Sequence, residues 1–138
     1  EPYPLDPSVL NQLNYADELN VTQASDIYQA MHFGAWNTWI DLSSNMRLLK
    51  RQDRIEEYGG SEKFDLVYYD AFAPHAQSEL WEPKIWQMLF NQMNSGGVLV
   101  TYCAKGQVRR NMQAAGFNVE RLPGPPGKRE MLRATKPI

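Results

Sequence analysis

The 138-residue sequence predicts the second half of a doubly wound α/β domain, and three observations carry that expectation. The apolar run Phe64 to Tyr69 leads straight into Asp70 and a turn, so a buried strand delivers an acid at its carboxyl end, where open α/β sheets bind ligands. From there the pattern reads strand, helix, strand, helix, strand, strand. No glycine-rich strand-to-helix turn of the G-x-G-x-x-G kind occurs in the chain, so the first half of such a domain is expected to be missing.

Each element has a local reason. Asp6 before Pro7 reads as an N-cap with proline at the first helical position, and Val9, Leu10 and Leu13 give that helix a short apolar face. A second helix is expected over residues 22–32, with Ile27, Tyr28 and Met31 on one side and Gly34 ending it. Residues 39–42 and 46–50 flank Ser43-Ser44-Asn45 and fit a β-hairpin or two short strands. Gly59-Gly60 breaks the chain. After the strand at Phe64, Leu80, Trp81, Ile85, Met88, Leu89 and Met93 recur at helical spacing, predicting a helix over residues 78–93 that Ser95-Gly96-Gly97 stops. Residues 98–103 form a continuous apolar and β-branched run, which fits a strand buried on both faces. A helix over residues 106–115 closes at Gly116. Two last strands, residues 117–122 and 130–134, are joined by the turn PGPPGK and are expected to form an antiparallel pair at one sheet edge.

The length suits one domain, and a 43% hydrophobic share supports a sizeable core. Charge is uneven. Residues 1–100 carry 6 Lys and Arg against 14 Asp and Glu, whereas residues 101–138 carry 8 against 2. A basic end on an acidic body fits a polyanionic partner and equally a solvated basic surface. The lone Cys103 has no internal disulfide partner and no apolar run reaches membrane-spanning length, which predicts a reducing, cytoplasmic setting away from membranes. No signal peptide is visible, and the start at Glu1 without a methionine points to a fragment of something longer. His32 and His75 lack the spacing of a metal site, so none is expected. Cys103, inside a predicted buried strand, is expected to be inert. The four tryptophans read as core and hairpin packing, with Trp81 near the site mouth.

With these residues in hand the chain resembles the class I S-adenosylmethionine-dependent methyltransferases. More narrowly, it is similar to the methyltransferase domain of tRNA 5-methylaminomethyl-2-thiouridine biosynthesis proteins. The matching segments are DLVYYDAFAP at residues 65–74, ELW at 79–81, GGVLVTYCAKGQVRR at 96–110, AAGF at 114–117 and LPGPPGKREMLRA at 122–134. The resemblance implies the C-terminal part of a doubly wound Rossmann-like methyltransferase sheet, with the N-terminal glycine-loop segment absent and residues 1–138 forming one partial domain. It also implies S-adenosyl-L-methionine as cofactor and tRNA as partner. The resemblance also implies that such a domain is either fused to an oxidase domain or stands alone, with the oxidase separate. The exposed edge left by missing strands would favour self-association.

The resemblance assigns roles residue by residue. Glu1 matches the acid that accepts hydrogen bonds from the cofactor ribose, and Asp53 the group beside the adenine amino group. Asp70 would contact the cofactor and act as the catalytic carboxylate that holds the acceptor amine or accepts its proton; the alternative is a cap on the turn at residues 71–74. For Asp53 the alternative is an N-cap of a helix over residues 54–58. Tyr69, Phe72 and Pro74 would line the crevice around the reacting carbon. Lys105, Arg109, Arg110, Lys128 and Arg129 would grip phosphates of a tRNA anticodon stem-loop, unless Arg109 or Arg129 pairs with Glu130 or another acid. Two other readings stand beside tRNA methylation: a non-catalytic, self-associating fragment, and a methyltransferase of the same fold for another amine.

Overall fold

The Gly59-Gly60 break falls where the chain divides. In a computed structural model, which describes residues 2–19 and 21–138, one compact unit ends at Tyr58 and the next begins at Gly59. The first unit holds three short helices and a hairpin. Helix α1 (Pro7–Leu10) is capped by the Asp6 carboxylate, which accepts from the Ser8 amide at 2.8 Å, and it buries Leu10. Helix α2 (Tyr15–Leu19) has no apolar stripe and was not legible in the periodicity. Helix α3 (Ala24–Phe33) starts two residues later than residue 22 and runs one past His32. Gly34 ends it in an extended conformation, φ −63° and ψ 159°, rather than a left-handed one. A side chain there would collide with the Ala30 carbonyl and Ile40, so close approach is what requires glycine.

Strands β1 (Trp39–Ser43) and β2 (Met46–Leu49) form the expected antiparallel hairpin, with a register shift between Asp41 and Ser43. Only a 3₁₀ turn, Ile55–Glu57, follows, and its N-cap residue Arg54 makes no side-chain capping bond. The Asp53 carboxylate pairs with Arg51 at 2.6 Å.

The second unit is a four-stranded sheet in the order β3 (Phe64–Tyr69), β4 (Met93–Thr101), β6 (Glu130–Thr135), β5 (Asn118–Pro123). β3 and β4 are parallel; β6 runs antiparallel to both β4 and β5. The expected final pair is present, with β6 between β4 and the edge strand β5. The helix expected over residues 78–93 is two elements, a 3₁₀ turn at Ser78–Trp81 and helix α4 (Pro83–Gln92). Pro83 explains the split, because it lacks an amide donor and disfavours helical backbone in the residue before it. Met93 already belongs to β4. Helix α5 (Gly106–Ala114) is followed by Gly116 at φ +108°, packed against Phe90, a conformation that glycine alone adopts without strain.

Trp86, Ile85 and Leu89 of α4, Val108 and Met112 of α5, and Leu99 and Leu132 of the sheet are buried together with Phe117. Tyr69 joins this core, edge-on to Trp81 at 5.3 Å and tilted against Trp86 at 5.1 Å. Lys136 ties the far end of the sheet to α4, donating to the carbonyls of Phe90 at 2.9 Å and Met93 at 2.8 Å, where a cation also suits the helix dipole. One expectation fails on the other face. β4 is not buried on both sides: Leu99 and Thr101 are inside, Val98 and Val100 half-buried, and their neighbours Leu66 and Tyr68 on β3 are 49% and 77% exposed. The apolar run reflects a strand with two apolar faces, of which α4 and α5 cover one. Cys103 lies two residues past β4, buried as expected.

The two faces predict different costs for truncation. Leu132→Ala in the full chain is expected to lower stability by about 2–5 kcal/mol, the range for a fully buried leucine. Tyr68→Ala is expected to stay within about 0.5 kcal/mol, as surface substitutions do. Denaturant midpoints compare the two, and equal losses would contradict the one-sided core.

Candidate active site

Parallel pairing sets Tyr69 opposite Thr101, so the chain leaves β3 at Asp70 and β4 at Tyr102 side by side. These carboxyl ends border a crevice of about 380 Å³ lined by Asp70, Tyr102, Lys128, Tyr68, Val100 and Met131, within the size range of small-molecule sites. A smaller adjoining hollow of about 300 Å³ is bounded by Asp70, Ala71, Phe72, Ala73 and Tyr102. The two strand ends are joined by the Tyr102 hydroxyl, which donates to the Ala71 carbonyl at 2.8 Å. The loop beyond is held from behind. Trp81 Nε1 donates to the Phe72 carbonyl at 2.7 Å, and the Tyr69 hydroxyl donates to the Leu80 carbonyl at 2.5 Å.

Asp70 is exposed, and none of the described residues donates a hydrogen bond to its carboxylate. The turn at residues 74–76 is closed by backbone bonds from Ala76 and Gln77 to the Ala73 carbonyl, so the capping alternative for Asp70 is not what the loop uses. Tyr69 sits differently from expectation: its ring is buried in the aromatic core and its hydroxyl engaged, so at the crevice it offers backbone. Phe72 is 72% exposed beside Asp70, and Pro74 begins the turn, half-buried.

The basic residues divide. Lys128, in the β5–β6 loop, lines the crevice with its ammonium 4.0 Å from the centre of the Tyr102 ring, a cation–π contact. Arg129 and Lys105 are exposed, Lys105 as the N-cap residue of α5. Arg110 donates to the Gln107 side chain at 2.7 Å. Arg109 is half-buried, and its Nε has no hydrogen-bond partner among the described residues. The pairing with Glu130 is corrected: Glu130 lies 3.5 Å from Arg121, and the neighbouring pair is Arg133 with Glu120 at 2.8 Å.

In the first unit, Arg51 lines a largely apolar cavity of about 770 Å³ together with Leu10, Met31, Trp36, Leu48 and Leu49. Asp53 stands two residues beyond Arg51. Glu1 lies outside the described residues. Tyr102 is the residue that sequence reasoning passed over, because it read as one more apolar position of a buried strand. Only the end of the β4 ladder at Thr101 turns it toward the crevice.

The profile of a family described as S-adenosyl-L-methionine-dependent methyltransferase matches residues 22–137. The chain belongs to this family. A bifunctional MnmC protein for tRNA 5-methylaminomethyl-2-thiouridine biosynthesis from Nitrosospira multiformis is 30% identical over 146 residues, covering 99% of this chain and 23% of that protein. The protein of the same name from Ralstonia nicotianae is 38% identical over 73 residues, covering 53% and 11%. Among solved structures, MNMC2 from Aquifex aeolicus aligns with TM-score 0.52 at 27% identity, over 61% of this chain and 28% of that one. The chain thus spans less than a quarter of the length of these curated relatives.

Within the methyltransferase family the crevice chemistry suits its cofactor class. A carboxylate with no hydrogen-bond donor, flanked by the aromatic rings of Tyr68 and Tyr102, favours a cation such as a sulfonium or a protonated amine. The same surroundings act on Tyr102. Burial, then the charges of Cys103 and Asp70, raise its phenol above the ordinary value of 10.0. Ultraviolet titration, taken as the difference between wild type and Tyr102→Phe, is expected to place this ionisation above the ordinary tyrosine range. Asp70→Asn should bring it down without restoring it fully, since burial is the larger cause. A Tyr102 that titrates as an ordinary tyrosine would contradict the geometry.

Proposed function

We propose that this chain is part of an enzyme that transfers methyl from S-adenosyl-L-methionine to the aminomethyl nitrogen on the wobble uridine of tRNA. The observation that carries it is the exposed Asp70 carboxylate at the paired ends of β3 and β4, with no donor among the described residues. The names of the MnmC relatives support the acceptor, as do the basic residues that follow residue 100. The match over residues 22–137 spans both units, which supports reading residues 1–138 as one partial methyltransferase domain.

When bound, S-adenosyl-L-methionine supplies a methyl group already activated on sulfonium sulfur. What the protein must add is alignment of a neutral amine and a place for its proton. The Asp70 carboxylate accepts a hydrogen bond from the acceptor amine, aims its lone pair and takes up the proton released on transfer. Tyr68, Val100 and Met131 give this acid apolar neighbours on one side, which would pack against a bound acceptor. By resemblance Asp53 would hold the adenine amino group. Glu1 would bind the ribose. Phe72 and Pro74 would flank the acceptor base, and Lys105, Arg109, Arg110, Lys128 and Arg129 would meet tRNA phosphates. The longer protein would work in the cytoplasm and bring an oxidase function, fused or separate, to the same nucleoside.

Calorimetry on the intact protein is expected to show S-adenosylmethionine binding, and Asp70→Ala to cut methyl transfer to undermodified tRNA by about 10²-fold or more, the usual worth of a positioned acid–base group. Transfer to proteins or small amines, with none to tRNA, would overturn the acceptor assignment.

A second reading is favoured by one observation. Among the described residues β3 is paired on one side only, and it exposes Leu66 and Tyr68. An unpaired strand edge with apolar side chains invites pairing with another copy. Light scattering of this 138-residue chain is expected to show a mass that rises with concentration and falls back for Tyr68→Lys. A clean monomer at high concentration would exclude self-association.

A further inference from the structure

Tyr102 touches each part of the crevice by a different piece of its side chain. Its hydroxyl bonds to the carbonyl of Ala71, the residue next to Asp70, at 2.8 Å. Its ring face carries the Lys128 ammonium at 4.0 Å. Its edge meets Trp81 at 6.0 Å, at an interplanar angle of 86°. Trp81 in turn is buried and holds the Phe72 carbonyl, so the acid-bearing loop is fixed from the core side by Trp81 and from the crevice side by Tyr102.

Lys128 needs such a seat. It lies in the turn between β5 and β6, next to Gly127 at φ +84°, and Gly124 packs so closely on Lys128 that a side chain at Gly124 would collide with the Lys128 backbone. The turn brings the lysine over the crevice, and the aromatic face keeps the long side chain there. A lysine without it would spread over many rotamers, at a cost to any ligand that had to gather them.

We propose that Tyr102 is the positioning residue that sets the acceptor site: its hydroxyl fixes the turn after Asp70 and its ring seats Lys128, so that one acceptor molecule presents its amine to the acid and an anionic group to the lysine at a fixed separation. The inference rests on the reading of Asp70 as the amine-holding acid and adds to it a second contact, between the lysine and an anionic group of the same acceptor. The hydroxyl suits the task over the working pH range, because a phenol is protonated there and therefore a donor.

Two variants of the full-length enzyme separate the functions of the ring and the hydroxyl, with undermodified tRNA and free 5-aminomethyluridine as acceptors. Tyr102→Phe keeps the seat and loses the bond to Ala71. Its KM for both acceptors is expected to rise about three- to tenfold, the loss of one neutral hydrogen bond, while the dissociation constant for S-adenosylmethionine stays within about twofold. Tyr102→Leu loses the seat as well, so the salt dependence of its tRNA KM should become shallower by the equivalent of about one phosphate contact. The free nucleoside, which carries no phosphate, should show no such change. Unchanged KM in Tyr102→Phe for both acceptors, or a wild-type salt slope in Tyr102→Leu, overturns the proposal and leaves tRNA methylation standing. Cofactor binding lost in step with activity also overturns it, since the residue would then only support the fold. Wild-type transfer to the nucleoside and none to tRNA overturns the tRNA assignment and with it the anion-holding role of the seated Lys128.

Discussion

The parallel register between β3 and β4 is the constraint from which the rest of the site follows. Because Tyr69 stands beside Thr101, the next residue of each strand leaves the sheet at the same level, and an acid and a phenol emerge together. A slip of one residue would turn Tyr69 out of the aromatic core and every neighbouring side chain to the opposite face. The register is held at both ends. Trp81 and Trp86 clasp Tyr69 of β3 at the carboxyl end, and at the other end of β4 Lys136 bonds to the carbonyls of Phe90 and Met93. Between Phe64 and Leu66 the partner on β4 jumps from Met93 to Val98, and the residues skipped include Gly96 at φ +77°. The irregularity is absorbed there, away from the site.

Electrostatics then distinguishes the residues that the fold gathers. Lys128 reaches the crevice because β6 returns beside β4 and carries the preceding turn over the strand ends. Arg121 and Arg133 belong to the same basic stretch of sequence, yet they pair along the β5–β6 ribbon with Glu130 and Glu120. Such exposed pairs contribute little stability. Lys105, Arg110, Lys128 and Arg129 of the same stretch are exposed as well.

Membership of the methyltransferase family accounts for the order of strands and helices, and the proposed ligand class rests on the arrangement of side chains. An exposed carboxylate among aromatic rings discriminates by charge, and a seated lysine beside it discriminates again by the opposite charge. On the proposed reading, a nucleotide bearing an amine can engage both groups and a simple alkylamine only the acid. The uncovered face of β3 and β4 is a separate matter, a strip of Leu66 and Tyr68 whose exposure comes from helices packing on one side of the sheet.

The amino-acid sequence by itself determined the strand into Asp70, the hairpin, the helix closed by Gly116 and the final antiparallel pair, because each is written in local pattern: alternation, turn residues and helical spacing. It also carried the family, through an ordered series of motifs. It did not separate the 3₁₀ turn from α4, since Trp81 and Ile85 keep helical spacing across Pro83. Nor did it place Tyr102, which alternates with Thr101 in an unbroken apolar run and looks like core. Only the tertiary structure decided that this tyrosine faces the crevice, that Tyr69 faces inward, and that Glu130 pairs with Arg121. Those choices depend on which strand lies beside which and where each ladder stops, quantities set by packing between residues far apart in the chain.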